Sequence, residues 1–149
     1  TRIDNRLVHG QVGVSWTATL GANLILVADD DVAKDSLQQR LMKMISDAQG
    51  VEIRFFSIEK TIKVIEKAAP RQKIFLICKT PKEVRRLVDG GVPIEVVNVG
   101  NMHYSDGKKQ ISKKVYVNDD DLEDLKYLES KGIDVFIQDV PGDIKEKIN

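Results

Sequence analysis

The chain has a single cysteine and no formal net charge, and each of these features argues against a class of protein. Cys78 is the one cysteine among 149 residues, so no disulfide can form within one chain and a secreted disulfide framework is excluded. It stands in an apolar run, where a buried, inert thiol is expected. Lysine plus arginine and aspartate plus glutamate each total 23, which gives a formal net charge of zero. Nucleic-acid-binding proteins normally carry a basic excess, so we expect no nucleic acid partner.

Long apolar runs and several catalytic motifs are also missing. No stretch approaches the roughly 18–20 apolar residues of a membrane span, and no signal peptide is visible, so we expect a cytoplasmic protein with no direct membrane insertion. Two histidines and one cysteine are a poor ligand set for zinc. The nucleophile elbow G-x-S-x-G, the Walker A loop and G-x-G-x-x-G are absent, which argues against a hydrolytic triad and a nucleotide-binding module. We expect no metal and no cofactor.

Short apolar runs alternate with helical patterns along the whole chain. Strands are predicted at residues 22–28, 51–56, 73–78, 94–99, 114–117 and 133–140, and the first residues, 1–4, are the tail of another. Helices are predicted at residues 11–20, 32–48, 58–68, 81–88 and 119–130. Such alternation indicates βα units. We predict one three-layer α/β/α domain over residues 1–149, with a mainly parallel central sheet and helices on both faces.

Two of these helices carry marked apolar positions. The helix at 32–48 places Leu37, Leu41, Met44 and Ile45 on one face, as an amphipathic helix packed on a sheet would. In the helix at 11–20, Trp16 lies at helical spacing from neighbouring apolar residues and is interpreted as core.

The first ten residues concentrate polar chemistry where the first strand meets the first helix. His9 stands at the carboxyl end of the strand, the place where open α/β sheets bind ligands. The backbone amides of Gly10, Gln11 and Val12 at the helix start suit an anion, and Gly10 lets the backbone approach closely. Arg6 can donate paired hydrogen bonds to phosphate oxygens.

These parts suit phosphoryl transfer through a histidine. A neutral imidazole has a nucleophilic lone pair, so His9 could accept a phosphoryl group and pass it on. Arg6 and the helix-start amides would stabilise charge on the equatorial oxygens without a metal. Asp4 could orient Arg6 or bind the unreacting imidazole nitrogen. From these residues alone, a purely structural histidine with an arginine nearby stays open.

A receiver-like signalling or binding module, phosphorylated on an aspartate or not at all, is the rival hypothesis. Asp29, Asp30 and Asp31 end a strand and are similar to the acidic pocket of such modules. Here the acids lead straight into a helix, where capping is favoured over metal binding. His103 and Lys79 also follow strands. We interpret His103 as an exposed loop residue, whereas Lys79 could reach a phosphate.

The run RIDNRLVHGQV, from Arg2 to Val12, resembles the signature of the IIB component of the mannose/sorbose-type sugar phosphotransferase system. Every position of that eleven-residue pattern is matched, and a tryptophan follows at position 16. The segments KTPKEVRRLVDGGVPIEVVNVGNMH and VYVNDDDLEDLKYLESKGIDV resemble the middle and the last helix and strand of the family. The resemblance implies a mixed, mainly parallel sheet with helices on both faces.

It also implies a phosphotransferase activity with named roles. His9 would carry the phosphoryl group on Nδ1, receive it from a phosphohistidine of a IIA protein, and give it to a sugar held by the membrane subunits IIC and IID. The protein would then be cytoplasmic and peripherally associated with those subunits. Arg6 would bind the phosphate, while Asp4, Asn5 and Gln11 would shape the loop or form hydrogen bonds.

The resemblance also favours one class of sugar. The segment VGNMHYSDGKKQ is closer to members that handle N-acetylgalactosamine or galactosamine than to mannose members, which tend to have a second glycine in place of Asn101.

Overall fold

A computed structural model describes residues 1–10, 15–68 and 71–148 of the chain. The strands of this part are β1 (Arg2–Asp4), β2 (Leu24–Ala28), β3 (Glu52–Phe56), β4 (Ile74–Cys78), β5 (Val96–Asn101), β6 (Lys109–Ser112), β7 (Val115–Val117) and β8 (Asp134–Ile137). Its α-helices are α1 (Thr17–Leu20), α2 (Ser36–Ala48), α3 (Ile58–Val64), α4 (Pro81–Asp89) and α5 (Asp119–Ser130), with 3₁₀ turns at Val32–Lys34 and Ile65–Lys67.

Six strands form the central sheet, in the order β3-β2-β4-β1-β5-β8, and every pairing between them is parallel. The α/β prediction with a mainly parallel sheet is therefore confirmed. The short strand β1 lies in the middle of the sheet, between β4 and β5. Both faces of the sheet are covered, so β2 is buried at every position, and its sequence LILVA shows no polar alternation.

Each face of the sheet has its own apolar cluster. The larger one includes Ile58, Val84 and Leu125, and therefore joins α3, α4 and α5 to the sheet. The smaller one includes Trp16, which directly precedes α1, and Met42 in α2, and it joins these two segments to the opposite face. The chain thus leaves β1 and β4, which are neighbours, towards opposite faces. Such a reversal is the topological switch point at which open α/β sheets bind ligands.

The structure corrects two expectations about the elements. Of the predicted strand at 114–117, Val115–Val117 does form strand β7, but it pairs with the unpredicted strand β6 in an antiparallel hairpin outside the central sheet. The predicted helix at 32–48 is interrupted, because Asp35 caps α2 by accepting a hydrogen bond from the amide of Gln38.

The apolar face predicted for this helix is wrong at three of its four positions. Leu37, Leu41 and Met44 are 61%, 55% and 65% exposed, whereas Met42 and Ser46 are buried. The fourth, Ile45, is partly buried and packs against the smaller cluster. The helix carries apolar residues on two faces, and the 3.6-residue period cannot say which one packs.

The acidic run after β2 caps helical turns, as expected. Oδ1 of Asp29 accepts hydrogen bonds from the amides of Asp31 and Val32, at 3.0 and 2.9 Å. Asp30 accepts one from the amide of Ile58 at the start of α3.

The helix predicted at 11–20 ends where expected, at Gly21, which has a φ of 63°. Its first four residues lie outside the described part of the chain. Of the helices in the described ranges, none is both long and apolar enough to cross a membrane.

A histidine, aspartate and arginine cluster at the end of the central strand

The site begins with the alternation of side chains along β1. Ile3 points into the larger apolar cluster, so Arg2 and Asp4, its neighbours on either side, share the opposite face of the sheet. Both are almost completely buried, with side chains 2% and 0% exposed. Charged side chains are rarely buried without partners, so this pair needs a physical reason.

The loop after β1 turns back sharply and is anchored by apolar side chains. The amide of Leu7 donates to the carbonyl oxygen of Asp4 at 2.9 Å, and Leu7 has a φ of 57°, which non-glycine residues rarely adopt. Leu7 and Val8 are buried in the smaller cluster. Their burial offsets the strain at Leu7 and fixes the backbone that leads into His9.

Asn5 ties the same loop to the neighbouring strand ends. Its Nδ2 donates to the carbonyl oxygen of Lys79 after β4, at 2.9 Å, and its Oδ1 accepts from the amide of His103 after β5. The backbone amide of Asn5 also donates to the backbone carbonyl oxygen of Asn101. The three strand ends are therefore joined through one side chain.

The carboxylate of Asp4 is the centre of the site. Its Oδ2 lies 3.2 Å from Nε2 of His9, 3.2 Å from Nη2 of Arg2 and 3.3 Å from Nη2 of Arg6. Its Oδ1 accepts from the backbone amide and Nε of Arg6, at 3.0 and 3.2 Å. Three side chains of donor character thus converge on one buried anion.

The protonation of Asp4 decides which nitrogen of His9 is free. Burial alone would raise the pKa of Asp4, but the hydrogen bonds from His9 and Arg6 and the charge of Arg2 outweigh it and hold the pKa at about 2. An ionised carboxylate can only accept a hydrogen bond, so in neutral His9 the proton is on Nε2. The lone pair is then on Nδ1. The His9 side chain is 21% exposed, so the ring is not sealed in the core.

Arg6 binds Asp4 through one edge of its guanidinium group. Nε and Nη2 contact the two carboxylate oxygens, which fixes the plane of the fork. Within the described ranges Nη1 makes no hydrogen bond, and the side chain is 34% exposed. The arginine is therefore held rigidly beside His9 with donors that a phosphate could use.

Arg2 lies behind Asp4. Its Nη1 donates to Oδ1 of Asn98 at 2.5 Å and to the carbonyl oxygen of Gln138 at 3.1 Å. Its guanidinium carbon is 5.3 Å from the centre of the Trp16 ring, and its Nη2 is 3.7 Å from Oδ1 of Asp139.

Comparison with known proteins then identifies the family. The family model of the sorbose subfamily IIB component of the sugar phosphotransferase system (PTS) matches residues 1–149. The chain belongs to this family of PTS IIB components. It is 66% identical over 148 residues to the N-acetylgalactosamine-specific phosphotransferase enzyme IIB component 1 of Escherichia coli K12, covering 99% of this chain and 94% of the relative.

Two further comparisons extend the match. A crystal structure of that E. coli IIB component 1 superposes with a TM-score of 0.98 at 66% identity, covering 99% of this chain and 97% of the other. The mannose-specific EIIAB component of E. coli K12 is 36% identical, over 99% of this chain and 46% of its own length. This IIB protein is therefore a sugar phosphotransferase subunit, and the relatives give no support to the receiver-like alternative.

The structure brings together three residues that the sequence singled out, namely Asp4, Arg6 and His9. The sequence left open whether Asp4 orients Arg6 or binds the imidazole. In the structure Asp4 contacts both the guanidinium of Arg6 and the imidazole of His9. Gly10 is exposed, and a Cβ built on it would meet no atom of the described residues within 4 Å. The predicted amide donors Gln11 and Val12 lie outside the described residues.

Other candidates have structural contacts instead. His103 is exposed, as expected, and touches the site through its backbone amide, while Lys79 does so through its carbonyl oxygen. Trp16 is buried, as expected for core, and its Nε1 also donates to the carbonyl oxygen of Asp139 at 2.9 Å. In the ranges described, no group of three or more histidine, cysteine, aspartate or glutamate side chains could hold a metal ion.

The sequence analysis gave Arg2 no role of its own, and it did not predict Asn98 as part of the site. One signal was available, because an arginine in a central parallel strand must be paired if it is buried. Its partners lie 96 and 136 residues away along the chain, where no local spacing indicates them.

Proposed function

We propose that His9 is the residue of this PTS IIB protein that carries the phosphoryl group, on Nδ1. The observation that supports this most strongly is the contact between Asp4 Oδ2 and Nε2 of His9. With Asp4 ionised, this contact supports a neutral His9 that has its proton on Nε2 and its lone pair on Nδ1. An Asp4 held ionised also stabilises the positive charge that develops on the ring as Nδ1 attacks.

The two transfers balance as simple displacements. In the first, Nδ1 of His9 attacks the phosphorus of a donor phosphohistidine, and the donor N–P bond breaks with its electron pair returning to the donor ring. In the second, a sugar hydroxyl oxygen attacks the phosphorus, the Nδ1–P bond breaks with its electron pair returning to the His9 ring, and the hydroxyl proton passes to water. Arg6 donates to the equatorial oxygens in both steps, together with the amides of Gly10, Gln11 and Val12.

The donor in this proposal is a IIA phosphoprotein, and the acceptor is a sugar held by the membrane subunits IIC and IID. The name of the mannose-specific EIIAB relative, which joins A and B parts, supports the pairing with IIA. We place the protein in the cytoplasm, peripherally associated with the membrane subunits, with residues 1–149 acting as one domain.

N-acetylgalactosamine is the sugar we propose. The relative that shares 66% of the sequence carries that specificity in its name, and so does the crystal structure of the E. coli protein. Uptake by membrane vesicles that contain IIC and IID tests this choice. N-acetylgalactosamine should be phosphorylated when the chain and phosphorylated IIA are added, and preferential phosphorylation of mannose would contradict it.

Labelling with ³²P tests the role of His9 directly. Incubation with ³²P-phosphorylated IIA should give a product that is labile in acid and stable in alkali, and His9→Ala should abolish it while the fold is kept. The chain has two histidines, so His103→Ala is the matched control and should label normally. Label that persists in His9→Ala, or that breaks down in alkali as an acyl phosphate would, refutes the assignment.

A further inference from the structure

Arg2 is an internal cation whose contacts reach three separate parts of the fold. Its side chain is 2% exposed, and it sits in the middle strand of the sheet. Its Nη1 is held by Asn98 on β5 and by the carbonyl oxygen of Gln138, directly after β8. Its Nη2 contacts Oδ2 of Asp4, the oxygen that also faces His9. The orientation of the carboxylate is thus tied to strands outside its own loop.

Two further neighbours, Trp16 and Gly100, restrict the position of the guanidinium group. Trp16 faces it, with 5.3 Å between the guanidinium carbon and the ring centre. On another side lies the backbone of Gly100, and a Cβ atom built on that glycine would overlap the guanidinium group itself. Position 100 therefore accommodates Arg2 because glycine has no side chain.

The charges around Arg2 alternate in sign. Asp4 and Asp139 both lie near its Nη2, at 3.2 and 3.7 Å, and Asp139 is also paired with Lys114 through a 2.6 Å contact. Asp4 is in turn contacted by Arg6 and His9. Within the described residues Arg2 makes no hydrogen bond or ion pair with His9, so we expect any effect it has on His9 to pass through Asp4.

We infer that Arg2, seated against Gly100, is a positioning residue for phosphoryl transfer that holds Asp4 in the orientation that binds Nε2 of His9. The inference rests on the proposed role of His9. Without Arg2, the carboxylate can rotate towards Arg6, and the imidazole loses the contact that fixes its tautomer and direction. Misplacement of a reacting group by about 1 Å costs on the order of 100-fold in rate.

Three substitutions in the full chain test this role. Arg2→Met removes the charge and the fork. Arg2→Lys keeps the charge but cannot hold Asn98, Gln138 and Asp4 in one plane. Gly100→Ala keeps the arginine in the sequence, but the added Cβ displaces its guanidinium group. Arg54→Met, at an exposed arginine paired with Glu52, is the matched control.

Two readouts separate positioning from a structural role. The first is ¹⁵N NMR of the His9 ring in the unphosphorylated chain, where the wild type should show the proton on Nε2. The second is the initial rate of phosphoryl acceptance from phosphorylated IIA. We expect Arg2→Met and Gly100→Ala to lose the tautomer preference and to slow transfer about 100-fold, with Arg2→Lys intermediate and Arg54→Met unchanged.

Folded Arg2→Met with wild-type ring signals and a wild-type rate would overturn the inference. If Arg2→Met does not fold, Gly100→Ala and Arg2→Lys decide by the same criteria. The NMR readout needs no phosphoryl transfer, so it tests Arg2 even if the label in the wild type falls on another residue. Label on another residue in the wild type would refute the proposed function and leave the inference about Arg2 to the NMR result.

Discussion

The Oδ2 atom of Asp4 and the Nε2 atom of His9 lie 3.2 Å apart, one at the end of the central strand and the other in the loop that follows. The same oxygen also faces Arg2 and Arg6. One buried carboxylate therefore serves as counter-ion to an internal arginine and as hydrogen-bond acceptor for the imidazole. The site and the core of the sheet share this group, so substitutions there change stability and transfer together.

Asp4→Asn should destabilise the protein most at neutral pH and least in acid. Asp4 has a folded pKa of about 2 against a reference of 3.8. Its contribution, on the order of 2 kcal/mol, is present above pH 3.8 and is lost as pH falls towards 2. Urea unfolding at pH values from 6 down to about 2 measures it, and the gap between wild type and variant should narrow as pH falls.

Asp47→Asn is the control for this pH dependence. Asp47 pairs with Lys43 on the surface of α2, and both side chains are more than half exposed. Its substitution should change the free energy of unfolding by less than about 0.5 kcal/mol at any of these pH values. A gap between wild type and Asp4→Asn that stays constant with pH would contradict the assigned role of the ionised carboxylate.

Arg6→Ala should slow phosphoryl acceptance by about 100-fold while the protein stays folded. Its guanidinium supplies preorganised donors to the transferring group, and the loss of one such donor usually costs about 100-fold or more. The side chain is one-third exposed, and Asp4 keeps its contacts with Arg2 and His9. Arg6→Lys should recover only part of the rate, because its three donors share one nitrogen and lack the planar fork that contacts both Asp4 oxygens and leaves Nη1 for the phosphate. A wild-type rate in folded Arg6→Ala would exclude Arg6 from the phosphate site.

Asn5→Ala should lower both stability and transfer rate. It removes the hydrogen bonds to Lys79 and His103 that join the loop to β4 and β5, at a cost of about 1–3 kcal/mol. Asn23 is a matched control, because its amide also bridges two backbone groups, those of Arg71 and Lys73, at an exposed position. Asn23→Ala should leave the transfer rate unchanged. Equal rates in the two variants would show that the bridge made by Asn5 does not position His9.

Much of the site could be predicted because its main members are close in sequence. Asp4, Arg6 and His9 fall within six residues, and the end of a strand is where side chains from one short segment converge on a ligand. Arg2 received no role because its partners are Asn98 on β5 and the backbone of Gln138 after β8, which only the folded sheet brings near β1. Spacing along one sequence carries no information about such contacts.

The fold was predictable where burial alone shapes the sequence. β2 is buried on both faces, so it shows as a continuous apolar run. β6, with the sequence KQIS, has no such run, because its pairing with β7 and not burial makes it a strand. In α2 the apolar pattern was correct as a helix signal, but of the four residues assigned to the packed face only Ile45 packs on the smaller cluster.

Two neighbouring substitutions in α2 can measure which of its faces packs on the sheet. Met42 is 6% exposed and packs in the smaller apolar cluster, whereas Leu41 is 55% exposed. Met42→Ala should therefore cost about 2–5 kcal/mol in the free energy of unfolding, from lost burial and the cavity left behind. Leu41→Ala removes a side chain of similar size from the surface and should cost less than about 0.5 kcal/mol. Urea unfolding of both variants checks the pair. If Leu41→Ala proves the more damaging in the isolated chain, then the face that carries Leu37, Leu41 and Met44 is packed and not exposed.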